Sequence, residues 1–146
     1  MTTLNPYLNF NGNAKEAFNF YKSVFGGEFL GLQRFKDMPE DEKSPGHLPE
    51  EYQDLILHIA LPIGNNILMA SDCIEAFGQK AVFGSSNYIS VQPDSEAETR
   101  RIFNGLSAGG EIEMPLEEMF WGDLFGSFTD KFGIKWMVNF ELKKES

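Results

Sequence analysis

The chain has 146 residues, with 22 acidic and 12 basic side chains and a formal net charge of -10. This length fits one compact domain or two small modules that share a core. Hydrophobic residues make up 42% of the chain and Phe occurs 14 times, which argues against long-range disorder. The acidic balance argues against a nucleic-acid partner, because binding to phosphates depends on many Lys and Arg contacts.

The single cysteine and the N-terminus restrict the class of protein further. Cys73 cannot form an intramolecular disulfide, and no CxxC pair offers a zinc or redox site. The first residues lack the positive region and the apolar stretch of a secretory signal. No window approaches the ~20 apolar residues that span a bilayer. We therefore expect a cytoplasmic protein with no membrane partner.

The first half of the chain predicts a strand, a helix and three further strands. Residues 7–10 alternate and end at a turn, and Asn13 is the expected N-cap of a helix over residues 14–25. Gly26-Gly27 ends this helix, as left-handed glycine does at many helix C-termini. The three strands are expected over residues 28–35, 55–61 and 66–72, the last two forming a hairpin.

An acidic segment separates the second and third of these strands. Between Asp37 and Asp54 there are seven acidic residues, one lysine and three prolines. Such a composition indicates a long solvated loop, with a helical turn near residues 49–52.

The second half repeats the order of the first. A strand is predicted over residues 88–92, a helix over 95–106, and strands over 111–114, 124–129 and 135–142. The triplet Gly-Gly-Glu follows both helices, at residues 26–28 and 109–111. We therefore predict an α+β fold of tandem βαβββ modules, over residues 5–72 and 86–142, within a single domain spanning 1–146.

Several motifs in these modules carry a family resemblance. They are Pro6-Tyr7-Leu8, Ala14-Lys15-Glu16-Ala17, Phe20-Tyr21-Lys22-Ser23-Val24-Phe25-Gly26-Gly27, Leu57-His58-Ile59-Ala60-Leu61, Leu68-Met69-Ala70-Ser71-Asp72, Phe120-Trp121-Gly122-Asp123 and Asp130-Lys131-Phe132-Gly133-Ile134-Lys135-Trp136. The chain resembles the vicinal-oxygen-chelate superfamily, which includes glyoxalase I, extradiol dioxygenases and bleomycin-resistance proteins. More narrowly, it is similar to the PhnB-like branch, whose members are often described as glyoxalase-like or 3-demethylubiquinone methyltransferase-like.

The resemblance implies a half-barrel cleft and, in the metal-using members, four ligands from the first and last strands of the two modules. Those positions fall on Asn5 or Pro6, Met69, Ser86 or Asn87, and Met137. Methionine suits soft Cu(I) rather than the hard divalent ions that bind His, Asp and Glu. We therefore predict no metal site and no cofactor.

The candidate ligand-binding residues follow from strand alternation and from residue chemistry. They are Tyr7, His58, Met69, Tyr88, Trp121, Met137 and Asn139. Strand alternation places His58 on the same side of its strand as Ile56 and Ala60. The opposite side is rich in leucine and is expected to face the core, which leaves the His58 side for the ligand. In the last strand the apolar set of residues 134, 136, 138 and 140 is expected to pack inward, which leaves Met137 and Asn139 for the ligand.

Each candidate also has a structural alternative. His58 could bond a carbonyl or a tyrosine, bind ligand, or act as a general acid or base. Trp121 could stack on a planar ligand or fill the core, and the phenols of Tyr7 and Tyr88 could bond a substrate or simply pack. No GxGxxG string is present, so S-adenosylmethionine binding lacks its usual glycine-rich turn.

Three functions are compatible with these residues. The favoured one is a metal-independent small-molecule binding protein of the bleomycin-resistance type, acting as a homodimer. The second is an enzyme of the glyoxalase or dioxygenase kind, with His58 as the best catalytic candidate together with Asp72, Asp123 or Glu113. In the third, the acidic segment docks a basic partner.

Overall fold

The computed structural model describes residues 1–38 and 48–142. The elements of this part of the chain are β1 (Tyr7–Phe10), α1 (Ala14–Phe25), β2 (Gly31–Arg34), β3 (Ile56–Ile63), β4 (Asn66–Asp72), β5 (Ile89–Val91), α2 (Glu96–Ser107), β6 (Glu111–Glu118), β7 (Asp123–Thr129) and β8 (Lys135–Glu141). Short 3-10 turns lie at Phe35–Asp37, Glu50–Tyr52 and Glu75–Phe77. In these described ranges, no helix is both long enough and apolar enough to cross a membrane.

Each module forms its own four-stranded sheet, and the two sheets have the same strand order. The orders are β1-β4-β3-β2 and β5-β8-β7-β6. In both sheets the first strand pairs in parallel with the last strand, and the remaining pairs are antiparallel. The shared topology confirms the predicted α+β fold of tandem βαβββ modules. The chain divides into two compact units after Val82.

The predicted boundaries differ most at the two strands that follow the helices. β2 begins at Gly31 rather than at Glu28, because its pairing with β3 starts where the Leu30 N–H donates to the Ala60 carbonyl at 2.9 Å. β6 continues past Met114 to Glu118. Its pairing with β7 includes register shifts on both sides of Met114, and such irregularities allow an edge strand to contain a proline.

The acidic segment is only partly within the described residues. The helical turn predicted near residues 49–52 is confirmed at Glu50–Tyr52, and Leu48 is buried with Phe35 and Ile74 in a small apolar cluster. Residues 39–47, which carry the prediction of a solvated acidic loop, lie outside the described residues.

In the first unit, helix α1 packs on one face of its sheet. Phe18 of the helix contacts Phe10 of β1 edge to face, with ring centroids 6.4 Å apart. Ile59 and Leu61 of β3 are fully buried on the same face, opposite Ala70 and Leu68 of β4. The helix ends as predicted, because Gly26 and Gly27 both have positive φ, at 81° and 82°.

In the second unit, helix α2 covers the equivalent face. Phe103 meets Phe128 of β7 edge to face, with centroids 5.1 Å apart. A Cβ atom added at Gly126 would lie 2.6 Å from Cε2 of Phe103, so glycine is what allows this close packing. Trp136 and Val138 of β8 are buried beneath the helix, which confirms the predicted inward set of this strand.

The N-terminus of α1 is capped from another strand. Asn13 occupies the predicted N-cap position, but its side chain makes no capping hydrogen bond. Instead, Asp72 at the end of β4 accepts hydrogen bonds from the Gly12 and Ala14 N–H groups at 3.0 and 2.9 Å, and from the Ile56 N–H at 2.8 Å. Asp72 is 3% exposed. Its carboxylate therefore joins helix α1 and strands β3 and β4.

We predict that Asp72→Ala lowers the free energy of unfolding by about 3 kcal/mol or more, because it leaves three backbone donors without their acceptor, two of them in buried hydrogen bonds. Asp72→Asn retains one acceptor oxygen and should cost less. Urea denaturation measures both changes, with the exposed Asp94→Ala variant as the control, expected within about 0.5 kcal/mol of the wild type. A loss for Asp72→Ala no larger than that of Asp94→Ala would contradict the capping role.

Candidate functional site

Each sheet has a second face, opposite its helix, that carries polar, aromatic and thioether side chains. In the first sheet Tyr7 pairs with Met69, and Met69 pairs with Ala60. Directly paired residues share a face, and so do residues two apart along a strand. We call this surface the first polar face; its members are Tyr7, Asn9, His58, Ala60, Met69 and Ser71.

On the first polar face, His58 lies beside Tyr7. The Tyr7 hydroxyl is 3.4 Å from Nδ1 of His58, and the ring centroids are 5.8 Å apart with an interplanar angle of 32°. This separation is long for an O–H···N hydrogen bond, so the two rings pack more than they bond. Both side chains reach the surface, Tyr7 being exposed and His58 half-buried.

The neighbours of His58 on β3 differ in part from those predicted. Ile56 was expected beside His58 on the ligand side, but it is buried. A register shift in the β2–β3 pairing occurs between Gln33 and Arg34, where Arg34 pairs with Ile56, and the Ile56 N–H donates to buried Asp72. The strict alternation predicted from the sequence therefore breaks at the start of β3.

The second sheet has an equivalent surface, which we call the second polar face. Its members include Tyr88, Ser90, Glu113, Met114, Glu117, Phe125, Ser127, Thr129, Lys135, Met137 and Asn139. Met137 of β8 lies between Ser90 and Ser127 of the neighbouring strands. Asn139 pairs with Phe125, and its amide donates to the Asp123 carboxylate at 3.0 Å.

Trp121 extends the second polar face at the β6–β7 turn. The turn is closed by the Gly122 N–H, which donates to the Met119 carbonyl at 2.9 Å. Trp121 packs edge to face against Phe125, with centroids 6.3 Å apart, and is 47% exposed. Of the two predicted roles, filling the core is therefore wrong, and half of the indole surface is open to a partner.

A charged cluster occupies the other end of the second polar face. The Tyr88 hydroxyl donates to Oε1 of Glu113 at 2.8 Å, and the Thr129 hydroxyl donates to Oε2 at 3.1 Å. The Lys135 ammonium donates to Oε2 of Glu113 and to the Thr129 hydroxyl oxygen. It also lies 5.5 Å from the centroid of the Tyr88 ring.

These contacts move the pKa values of Glu113, Lys135 and Tyr88 further from neutral pH. The hydrogen bond from Lys135, with that from Tyr88, lowers the pKa of Glu113. The same contacts raise the pKa of Lys135 and of the Tyr88 phenol, because Glu113 favours the protonated partner in each case. The cluster therefore keeps a fixed pair of opposite charges over a wide pH range.

The carboxylates considered alongside His58 lie in other settings. Asp72 is committed to backbone donors and lies with Phe10 on the helix side of the first sheet. Asp123 and Glu113 belong to the second unit. Within residues 1–38 and 48–142, no group of three or more His, Cys, Asp and Glu side chains is arranged to hold a metal ion.

The familial metal positions carry chemistry that does not fit a hard divalent ion. Asn5 accepts a hydrogen bond from the Ile67 N–H at 2.9 Å. Its side chain therefore joins the residues before β1 to the start of β4. Met69 and Met137 offer thioether sulfur, which is a soft ligand.

Sequence reasoning missed two features of the second polar face and one of the first sheet. Phe125 was not identified as a candidate, although it lies two residues before Ser127 in β7 and therefore on the same face. The ion pair of Lys135 was also missed, because its partner Glu113 lies on a different strand, β6. The structural role of Asp72 had one signal, since an aspartate is disfavoured in a strand that otherwise alternates Leu68 and Ala70.

Comparisons with known proteins agree with the resemblance in the sequence. The family model described as 3-demethylubiquinone-9 3-methyltransferase matches residues 2–139. Protein YjdN of Escherichia coli (strain K12) is 35% identical over 140 residues, covering 93% of each chain.

The solved structures identify the same fold. Protein PA1353 from Pseudomonas aeruginosa has a TM-score of 0.84 and 40% identity, with 98% of this chain and 100% of that chain covered. A glyoxalase/bleomycin resistance protein/dioxygenase family enzyme from Burkholderia phytofirmans PsJN has a TM-score of 0.58 and 17% identity, over 93% and 97% of the chains, which shows a common fold alone. The chain belongs to the family described as 3-demethylubiquinone-9 3-methyltransferase, whose model matches nearly its whole length.

Proposed function

We propose that this protein binds planar or amphipathic small molecules, without a metal, at each of its two aromatic and methionine-bearing polar faces. The observation that carries the proposal is the half-exposed indole of Trp121, continuous through Phe125 with the strand that bears Met137 and Asn139. On the first polar face, considered by itself, Tyr7, His58 and Met69 are the candidate ligand contacts. On the second polar face, Tyr88 supplies the phenol that corresponds to that of Tyr7.

The residue types on these faces suit a flat apolar ligand with a few polar groups. Aromatic rings present a large apolar surface at fixed geometry, and Met fills irregular contacts with a polarizable sulfur. Asn139 is held by Asp123 at 3.0 Å, so its amide is oriented before ligand binds. Binding sites commonly combine such apolar walls with a small number of oriented polar groups.

Binding is better supported than acid–base catalysis. A general acid or base works best when its pKa lies near the operating pH. In the charged cluster, the pKa of Glu113 is lowered and the pKa values of Lys135 and Tyr88 are raised. Each group therefore keeps one protonation state near neutral pH. An enzyme centred on His58 remains the alternative, and it would need a carboxylate other than Asp72.

Methyl transfer, which the family description names, has little support in this chain. Sites for S-adenosylmethionine usually use a glycine-rich turn between a strand and a helix. Here the β1–α1 turn contains Gly12 as its only glycine, and the turn before α2, residues 92–95, has none. We therefore propose ligand binding rather than methyl transfer.

Trp121→Ala should weaken the binding of a planar uncharged probe, N-phenylnaphthylamine, about fivefold, because an aromatic stacking contact is worth ~1 kcal/mol. Fluorescence titration measures the dissociation constant. Phe77→Ala is the matched control, since Phe77 is also an exposed aromatic residue but lies outside both polar faces. Equal affinities for Trp121→Ala and the wild type would contradict the assignment of Trp121.

Metal independence makes a separate prediction. Protein purified without a metal-affinity tag should contain far less than one divalent ion per chain by elemental analysis, and treatment with EDTA should leave the affinity for N-phenylnaphthylamine unchanged. Stoichiometric metal that disappears in His58→Ala would instead support the enzyme alternative.

We also propose that the chain forms a homodimer through the region around β6. Ile112 and Met114 of this edge strand are exposed, and Phe120 in the following turn is 97% exposed. Light scattering should give twice the chain mass over a range of concentrations, and Phe120→Ser combined with Ile112→Ser should shift the protein toward the monomer. Phe77→Ser is the control, and a monomer mass for the wild type at every concentration would contradict the proposal.

A further inference from the structure

The two modules carry equivalent tyrosines in different surroundings. Tyr7 begins β1, and it pairs with Met69 and lies beside His58. Tyr88 directly precedes β5, where the β5–β8 register brings it opposite Lys135. Only the second of these settings, among the described residues, contains a lysine ion pair at the tyrosine. The two modules therefore differ at this position, because an ion pair lies beside Tyr88 of the second module.

The hydrogen bonds of the cluster leave Lys135 as its available donor. Both oxygens of Glu113 accept bonds from within the cluster, and the Tyr88 hydroxyl proton is used by Glu113. An ammonium group has three N–H bonds, and two of those of Lys135 point to Glu113 and Thr129. The third can donate to an acceptor outside the cluster. The Lys135 side chain is 17% exposed, so it is largely held in place by its neighbours and yet partly reaches the surface.

The charges of the cluster favour an uncharged acceptor atom on the ligand over an anionic one. Lys135 is already neutralised by Glu113, and the chain has a net charge of -10. A carboxylate or sulfonate on the ligand would stand beside the Glu113 carboxylate, and like charges at that range repel. An uncharged oxygen avoids this cost, and it still accepts a strong hydrogen bond because the donor is charged.

Strand geometry places the rest of such a ligand. Lys135, Met137 and Asn139 follow one another on the same side of β8, at intervals of about 6.6 Å. Phe125 lies next to Asn139, and Trp121 lies next to Phe125. A ligand whose oxygen reaches Lys135 would therefore have its flat body over Met137, extending toward Phe125.

We propose that Lys135, held by Glu113 and Thr129, donates a hydrogen bond to the carbonyl oxygen of an uncharged planar ligand whose rings cover Met137 and Phe125. This inference rests on the proposed function and deepens it by naming the ligand class and the residue that orients the ligand. Glu113 and Thr129 act as positioning residues for the ammonium group.

Two uncharged naphthalene probes test the role of Lys135. Prodan carries a propionyl carbonyl, and N-phenylnaphthylamine carries none. Lys135→Met should raise the dissociation constant for prodan about tenfold, the value expected for loss of a hydrogen bond to a charged donor. The same variant should leave N-phenylnaphthylamine within twofold of the wild type. Fluorescence titration gives both constants, and the emission of prodan bound to Lys135→Met should shift to the blue as the carbonyl loses its donor.

Lys22→Met is the matched control. Lys22 is also paired with a glutamate, Glu28, at 3.1 Å, and it also lies over an aromatic ring, that of Phe29, at 5.1 Å. It belongs to α1 and not to a polar face, so prodan binding should be unchanged. The double variant Glu113→Gln with Lys135→Met removes both charges together, and it should show the same tenfold loss if Lys135→Met alone fails to fold.

The outcomes separate this inference from the proposed function. If prodan and N-phenylnaphthylamine bind the wild type but Lys135→Met and the double variant bind prodan normally, the role of Lys135 is overturned while small-molecule binding stands. An equal loss of both probes in these variants also overturns it, because the carbonyl is then not what Lys135 recognises. If neither probe binds the wild type, the proposed function fails and this inference fails with it.

Discussion

Each unit of this protein is organised around one buried aspartate. The Asp72 carboxylate accepts hydrogen bonds from three backbone N–H groups that belong to the start of α1 and the start of β3. In the second unit, Asp130 accepts bonds from the Phe132 and Ile134 N–H groups and from the Trp136 indole N–H, at 2.8, 3.0 and 2.8 Å. Both residues are 3% exposed. A buried carboxylate is stable only when such donors surround it, so these networks fix the chain locally on the helix side of one sheet and at the β7–β8 turn of the other.

Asp72 and Asp130 have structural roles, so the chemistry of the polar faces depends on other side chains. The first polar face combines a phenol, an imidazole and a thioether without an ion pair among its described members. The second combines thioether, amide and aromatic groups with one fixed ion pair, Lys135 with Glu113. Surfaces of this kind can recognise shape and a few hydrogen-bonding atoms. Small-molecule binding is therefore the function that we propose for both faces.

Much of the fold could be predicted because the local signals agreed with the tertiary structure. The helix over residues 14–25 and the strand over 66–72 have the predicted bounds, since periodicity, turn residues and glycine stops all favoured the same elements. The inward set of β8 also followed from alternation, because that strand pairs regularly along its length. The predicted end of β6 was wrong because Pro115 resembles a strand breaker, and the register shifts that accommodate it depend on β7.

The candidate site was less predictable, because its contacts join residues distant in sequence. Alternation assigned Met137 and Asn139 to the polar side of β8, but it could not show that Lys135 meets Glu113, which lies 22 residues earlier in the chain. The capping of α1 by Asp72 spans 58 residues, so a local search for the cap finds Asn13 instead. Whether Ile56 faced the core depended on a register shift between β2 and β3, which single-strand alternation does not reveal.

Metal-free binding of a planar molecule at each polar face can be tested on the methionines that the two faces carry. The most direct test is a methyl NMR spectrum of EDTA-treated protein labelled at its six methionines and titrated with N-phenylnaphthylamine. We predict that the signals of Met69 and Met137 move on binding, while those of Met1 and Met38 stay fixed because these two residues lie outside both faces. Movement of Met1 or Met38 with no change at Met69 and Met137 would contradict the account.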